Sequence, residues 1–241
     1  MIIKSEIMIA ANQIREKGFV VLDGNKLMLS EQDKRDLDVF IKNWEFLELD
    51  NYLPNQGKYR FRQYSRVQVS NERRIRLLPH QPYYQSRELN SYMGGIMKEF
   101  TPVPRDILNN DFFVNTLLSN IEILNEVTQQ NNRNWEVGIH FFRVTCAKQS
   151  VGIPTPGGLH QDGVDFVTVQ LFGRRNITGG MSRIADSFKR IVYETMLKNN
   201  LDRIIIDDRI MFHEATLIDI EDTSIAEFGY RDILNMDYKI C

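Results

Sequence analysis

Cysteine is nearly missing from this chain, with only Cys146 and Cys241 in 241 residues. Two thiols make neither a disulfide framework nor a zinc–thiolate set, so a reducing, cytoplasmic compartment is the default expectation. An excess of one charge is also missing: 30 Lys plus Arg stand against 32 Asp plus Glu, a net charge of −2. Nucleic-acid binders carry a basic excess or stripe, so no nucleic-acid partner is expected. Long apolar runs are absent as well. The N-terminal run from Ile7 to Ala11 is soon broken by Arg15, Glu16 and Lys17, too short for a membrane span and without a signal-peptide layout. Repeats, low-complexity segments and linkers are absent. One domain over residues 1–241 is therefore expected, helical and extended over about 1–134 and strand-rich over about 135–241.

Within that frame the periodicity is informative. Ile7, Ala10, Ala11 and Ile14 lie at helical spacing across 5–17, and Gly18 is a natural stop. Phe19 to Leu22 reads as a buried strand. Ser30 to Asp33 fits a helix cap, followed by an apolar face at Leu37, Phe40, Ile41 and Trp44. Residues 58–69 alternate as a long strand, with Tyr59, Phe61, Ser65, Val67 and Val69 on one face and Arg60, Arg62, Tyr64 and Arg66 on the other. The arginine–tyrosine face could bind a carboxylate bidentately, or be a solvated face or an ion-pair ladder. A helix is expected over 112–127, and Gln129 to Asn134 is a polar connector.

From Trp135 the texture turns to strands: 137–146, carrying His140 and Arg143, then 159–162, 164–172 and 181–185. A helix is expected across 187–199. Ile204 to Ile206 and Ile210 to His213 read as a hairpin about an Asp207-Asp208 turn, and 231–234 as a last strand. Many short strands with flanking helices predict a mainly β fold, a closed or double-sheet barrel of jelly-roll type.

The chemistry centres on Leu159-His160-Gln161-Asp162-Gly163. In an extended segment His160 and Asp162 point to the same side, and His213, 51 residues beyond Asp162, offers a third ligand. Two histidines and a carboxylate with open positions suit non-haem Fe(II). Arg231, 18 residues after His213, could anchor the distal carboxylate of a dicarboxylate co-substrate. Spacing alone leaves this reading level with a satisfied histidine pair.

Several ordered motifs go further. Pro154-Thr155-Pro156-x-Gly158-Leu159-His160-x-Asp162-Gly163-Val164-Asp165, Asn176-x-x-Gly179-Gly180, Leu201-Asp202-x-Ile204 through His213, and Tyr230 to Leu234 resemble the 2-oxoglutarate/Fe(II) dioxygenases of the bacterial L-isoleucine hydroxylase type. Upstream, Arg60-x-Arg62-x-Tyr64-Ser65-Arg66 and Tyr84-Gln85-Ser86-x-Glu88 through Gly94-Gly95 extend the likeness over about 18–238.

The resemblance implies a double-stranded β-helix (jelly roll, cupin-like) in which His160, Asp162 and His213 hold Fe(II) and Arg231 anchors 2-oxoglutarate. O2 would be the oxidant and ascorbate a candidate reductant. Succinate and CO2 would leave as the substrate is hydroxylated. Related iron halogenases have a small residue in place of the carboxylate, so Asp162 favours hydroxylation. Two positions depart from the family pattern: Leu217 follows Thr216 where Pro is frequent, and Gly157 stands where an acidic residue is common.

The implied substrate is a free aliphatic L-amino acid. Arg62, Tyr64 and Arg143 are candidates for its carboxylate, and Asp165 or Glu88 for its amino group. His140 is set aside because it faces away from Arg143 in a regular strand. Competing readings are an oxygenase of a peptide or carrier-bound residue, and a non-catalytic metal-sensing barrel. Oligomeric state is not legible.

Overall fold

The computed structural model describes residues 4–53, 56–90, 92–130 and 133–241. In chain order the elements are α1 (Lys4–Lys17), β1 (Phe19–Leu22), α2 (Glu31–Phe40), β2 (Glu48–Leu49), β3 (Arg60–Val69), β4 (Ile75–Leu77), α3 (Arg105–Leu108), α4 (Asp111–Thr128), β5 (Trp135–Ala147), β6 (Phe166–Arg175), β7 (Ile177–Gly179), β8 (Ser182–Ala185), β9 (Ile191–Thr195), β10 (Arg203–Asp207), β11 (Phe212–Ala215), β12 (Ile218–Ile220) and β13 (Phe228–Ile240). A major antiparallel sheet runs β1-β10-β6-β13-β5-β3-β2, with β4 also paired to β3. Smaller sheets run β11-β8-β9 and β12-β7. The expected mainly β architecture with flanking helices is what forms.

The major sheet has two unlike faces because its strands alternate. Trp135, Val137, Ile139 and Phe141 of β5, with Leu234, Met236 and Tyr238 of β13, pack against Phe113, Leu117, Ile121 and Leu124 of α4. Phe40 and Trp44 complete this core, with ring centroids 5.3 and 4.6 Å from Phe141. Burying each such aromatic side chain contributes about 2–3 kcal/mol. The intervening residues of the same strands face the smaller sheets and line a cavity.

The Ser30 expectation holds as a full capping box: Asp33 N–H donates to Ser30 Oγ, and Asp33 Oδ2 accepts from Ser30 N–H. α2 ends at Phe40, and Trp44 follows in a 3-10 segment, Ile41–Phe46. In the connector 129–134, Asn131 and Asn132 lie outside the described residues.

Two expectations change here. The helix expected across 187–199 is instead a turn and β9. Asp186 Oδ1 accepts from the N–H groups of Phe188 and Arg190, Lys189 takes a φ of 58°, and the β-branched and aromatic residues Ile191, Val192, Tyr193 and Thr195 suit the strand that follows. β10 and β11 form no hairpin with each other. β10 pairs with β1 and β6, while β11 pairs with β8, so Asp207 and Asp208 turn a corner between sheets. The extended segments expected before residue 135 form β1, β2 and β3 and join the major sheet.

Candidate active site

The sheets enclose a cavity of ≈ 420 Å³, within the usual range for small-ligand sites. Its major-sheet wall carries Arg60 and Arg62 of β3, His140 of β5, Ile204 and Ile206 of β10, and Arg231, Ile233 and Asp237 of β13. Ser182 and Ile184 of β8 and His213 of β11 face them, and the irregular segment from Tyr83 to Lys98 closes one end.

His160 lies on a single bridge to His213 rather than in a strand. His160 N–H donates to His213 O at 3.1 Å, and His213 N–H to His160 O at 2.9 Å. This exchange holds the two imidazoles 4.5 Å apart, centroid to centroid. Asp162 Oδ1 lies 3.5 Å from His160 Nε2, and its Oδ2 lies 3.4 Å from His213 Nε2. Burial opposes ionisation of Asp162, but the two imidazoles outweigh it and hold the carboxyl well below its usual range. Burial works against a charge on His160 too, yet Asp162 raises its pKa overall.

One donor atom from each of the three residues falls within 4.8 Å of the others. Cis ligands about 2.1 Å from one metal stand about 3 Å apart, so this set needs only a small contraction around an ion. The hydrogen-bonding fits too. His160 Nδ1–H donates to Gly158 O at 3.0 Å, which leaves the Nε2 lone pair facing Asp162. His213 Nδ1 is buried, lacks a hydrogen-bond partner among the described residues, and lies 3.7 Å from Asp208 Oδ1.

Asp208 supports the site from behind. Its carboxylate accepts from the backbone N–H groups of Asp162, Gly163 and Val164 at 3.1, 2.8 and 3.2 Å. Burial and the charge of Asp162 push its pKa up to about 6. Gly163 turns the chain at a φ of +81°, where a Cβ would collide with Leu89. From the opposite wall, Gln85 Nε2 donates to Asp162 Oδ1 at 2.9 Å.

Arg231 is 3% exposed and faces the cavity, and burial next to Arg174 lowers its pKa to about 10. Among the described residues no carboxylate pairs with it. Its one side-chain hydrogen bond is from Nη2 to Ser182 Oγ at 3.4 Å, and Nε has no partner. Such a group is incomplete without an anion.

Residues 42–237 match the 2OG-Fe dioxygenases. The chain belongs to that family. It is 27% identical to the L-isoleucine-4-hydroxylase of Bacillus thuringiensis, across 95% of this chain and 93% of that protein. It is 24% identical to the 3(1)-hydroxy-L-isoleucine 4-dioxygenase of Pantoea ananatis, across 95% and 94%. A bsmA homologue from Methylobium petroleophilum superposes with a TM-score of 0.85 at 26% identity, over 97% of this chain and 92% of the other. This 2OG-Fe dioxygenase is thus an enzyme that works with Fe(II), 2-oxoglutarate and O2. A metal-sensing barrel without turnover is not the reading these relatives favour.

The substrate candidates divide. Arg62 lines the cavity, buried among the rings of Phe100, Phe142 and Tyr83 at 4.0, 4.5 and 5.0 Å. Tyr64 shares the Arg62 face but stacks on His140 at 4.6 Å and lines a separate surface pocket instead. Arg143 is on the other face of β5, bound to Asp232 at 2.7 Å through both Nε and Nη2. Arg143 and His140 do point to opposite faces of β5, and the inward residue is His140. Its Nδ1 accepts from Arg62 Nη2 at 2.6 Å, and its Nε2–H donates to Asp237 at 2.9 Å. Asp165 is not in the cavity wall; its Oδ2 accepts from Ile240 N–H. Glu88 lies at the rim, exposed.

Proposed function

We propose that this enzyme hydroxylates a C–H bond of a free aliphatic L-amino acid, releasing succinate and CO2. His160, Asp162 and His213 would hold Fe(II), and Arg231 the far carboxylate of 2-oxoglutarate. The observation that carries this reading is the pairing, in one cavity, of a three-donor set with a buried, uncompensated arginine. Bound Fe(II) would supply the redox step coupling oxidative decarboxylation of 2-oxoglutarate to insertion of oxygen into the substrate.

The protein's own part is positional. Gly158 O sets the tautomer of His160, Gln85 steadies one oxygen of Asp162, and Asp208 fixes the 162–164 turn. Ile204, Ile206 and Ile233 offer an aliphatic wall that would exclude water and align an alkyl chain. Tyr64 and Arg143 are left with supporting roles. The two relatives named for isoleucine chemistry support the amino-acid class. The chain acts as one unit, since both its early and late segments line the cavity. A cytoplasmic setting accords with free thiols at Cys146 and Cys241.

The test is a mass-spectrometric screen of purified protein with Fe(II), 2-oxoglutarate, ascorbate and each common L-amino acid. A product heavier by one oxygen, matched by succinate, is the expected result. Succinate formation with no amino acid modified would redirect the search to peptide or carrier-bound substrates. Omitting ascorbate shows whether it acts as reductant.

A further inference from the structure

Three cations line the cavity on the β3 side, Arg60, Arg62 and Lys98, and the close carboxylate among them, Asp50, is paired with Arg60. Arg60 is satisfied, donating from Nε and Nη2 to Asp50 Oδ2 at 2.9 and 2.6 Å. Lys98 is not. It is 1% exposed, and among the described residues its Nζ has no hydrogen bond or ion pair, Asp50 acting on it only from a distance. Arg62 makes no ion pair among the described residues: Asp50 and Asp237 act on it from a distance, His140 accepts from its Nη2, aromatic faces pack on it, and its Nε has no partner.

We propose that Lys98, together with Arg62, forms the seat for the substrate's carboxylate, an anion site distinct from the one at Arg231. This rests on the reading that the substrate is a small organic acid. Both cations lie over the ring of Tyr83, with the Arg62 guanidinium carbon 5.0 Å and Lys98 Nζ 5.9 Å from its centroid.

The placement of Lys98 is built into the backbone. Tyr83 N–H donates to Lys98 O at 2.8 Å and Lys98 N–H to Tyr83 O at 2.9 Å, a two-stranded bridge that sets the direction of the side chain. Burial and the neighbouring charge of Arg62 lower the Lys98 ammonium to about 8. An unpaired buried cation is costly to the fold, so a ligand that completes it gains what the empty protein lacks. A carboxylate matches this seat because it accepts from ammonium and guanidinium at once. Met93, Phe142 and Val144 line the same part of the wall and suit an aliphatic acid better than a phosphate.

The experiment is calorimetric titration of the full chain loaded with Mn(II) and 2-oxoglutarate, so that the Arg231 end is filled. The probes are isocaproate, its neutral amide and inorganic phosphate. Isocaproate should bind at least about tenfold more tightly than the amide, the difference a charge-assisted hydrogen bond makes. Lys98→Met should weaken isocaproate by about tenfold or more, and Lys98→Arg should largely restore it. The melting temperature of ligand-free Lys98→Met should hold or rise, which a structural lysine would not allow. Equal binding of acid and amide, preference for phosphate, no binding of the acid, or an unchanged Lys98→Met would each overturn the seat. The acid–amide comparison needs no variant, so a folding defect in Lys98→Met leaves a decisive result. Succinate formation judges the oxygenase reading separately: isocaproate binding without any turnover keeps the seat and sinks that reading. Turnover with KM unchanged in Lys98→Met does the reverse.

Discussion

The two faces of the major sheet are made from the same strands and do opposite work. On β5 the outward Val137, Ile139 and Phe141 are buried against α4, while the inward His140 and Phe142 face the cavity. On β13, Leu234 and Met236 point outward, whereas Arg231, Asn235 and Asp237 point in. The outer face gathers apolar area and supplies stability. The inner face collects buried charges, of which Arg62, Lys98 and Arg231 make no ion pair among the described residues, whereas the outer face has Arg203, bonded to Asn120 of α4.

The sharpest way to break this contrast is at the three-donor set His160, Asp162 and His213. Asp162→Ala should cost more than about 100-fold in turnover, because even the groups behind a metal ligand are worth about 10–100-fold. The apo protein should remain folded, as checked by circular dichroism beside metal titration. Next comes the opposite face. Phe141→Ala should destabilise by about 3–5 kcal/mol in chemical denaturation, with the KM for 2-oxoglutarate unchanged in the protein that remains folded.

Arg231→Met sharpens the comparison from the inner side. It should raise the KM for 2-oxoglutarate by about 10-fold or more through the lost ion pair, while the apo melting temperature holds or rises. A falling melting temperature would mean that Arg231 serves the fold rather than an anion. The smallest effect belongs to the outer helices. Ser30→Ala should cost about 1 kcal/mol by removing the cap of α2, with activity unaltered.

How much of this was legible in the sequence depends on whether alternation or irregular backbone carries the residue. His160, Asp162 and His213 stand in a compact motif and a distinct downstream run, and Arg231 follows at a readable interval. β5 gave its length and its two-residue period but not its direction. Both of its faces are buried, so polarity does not mark the inner one, and Arg143 was preferred to His140. Lys98 left no signal. It follows a proline-broken stretch without periodicity, and only its bridge to Tyr83 turns it inward. β9 was read as a helix because the Asp186 turn depends on side-chain bonding to its own backbone, which competes locally with helical spacing.

The cavity wall also records a division of labour along the chain. The three-donor set comes from residues 160–213, stapled by Asp208, while Arg62, Tyr83 and Lys98 all come from before residue 100. Among the described residues the two groups meet directly through Gln85, which donates to Asp162 O and Oδ1, and through Leu89, which packs against Gly163. With the proposed carboxylate seat at Lys98 and Arg62, mutation of the Tyr83–Lys98 segment would shift substrate choice while residues 160–213 stay as they are, provided Gln85 is kept. A designer seeking a new hydroxylation target would graft that segment first.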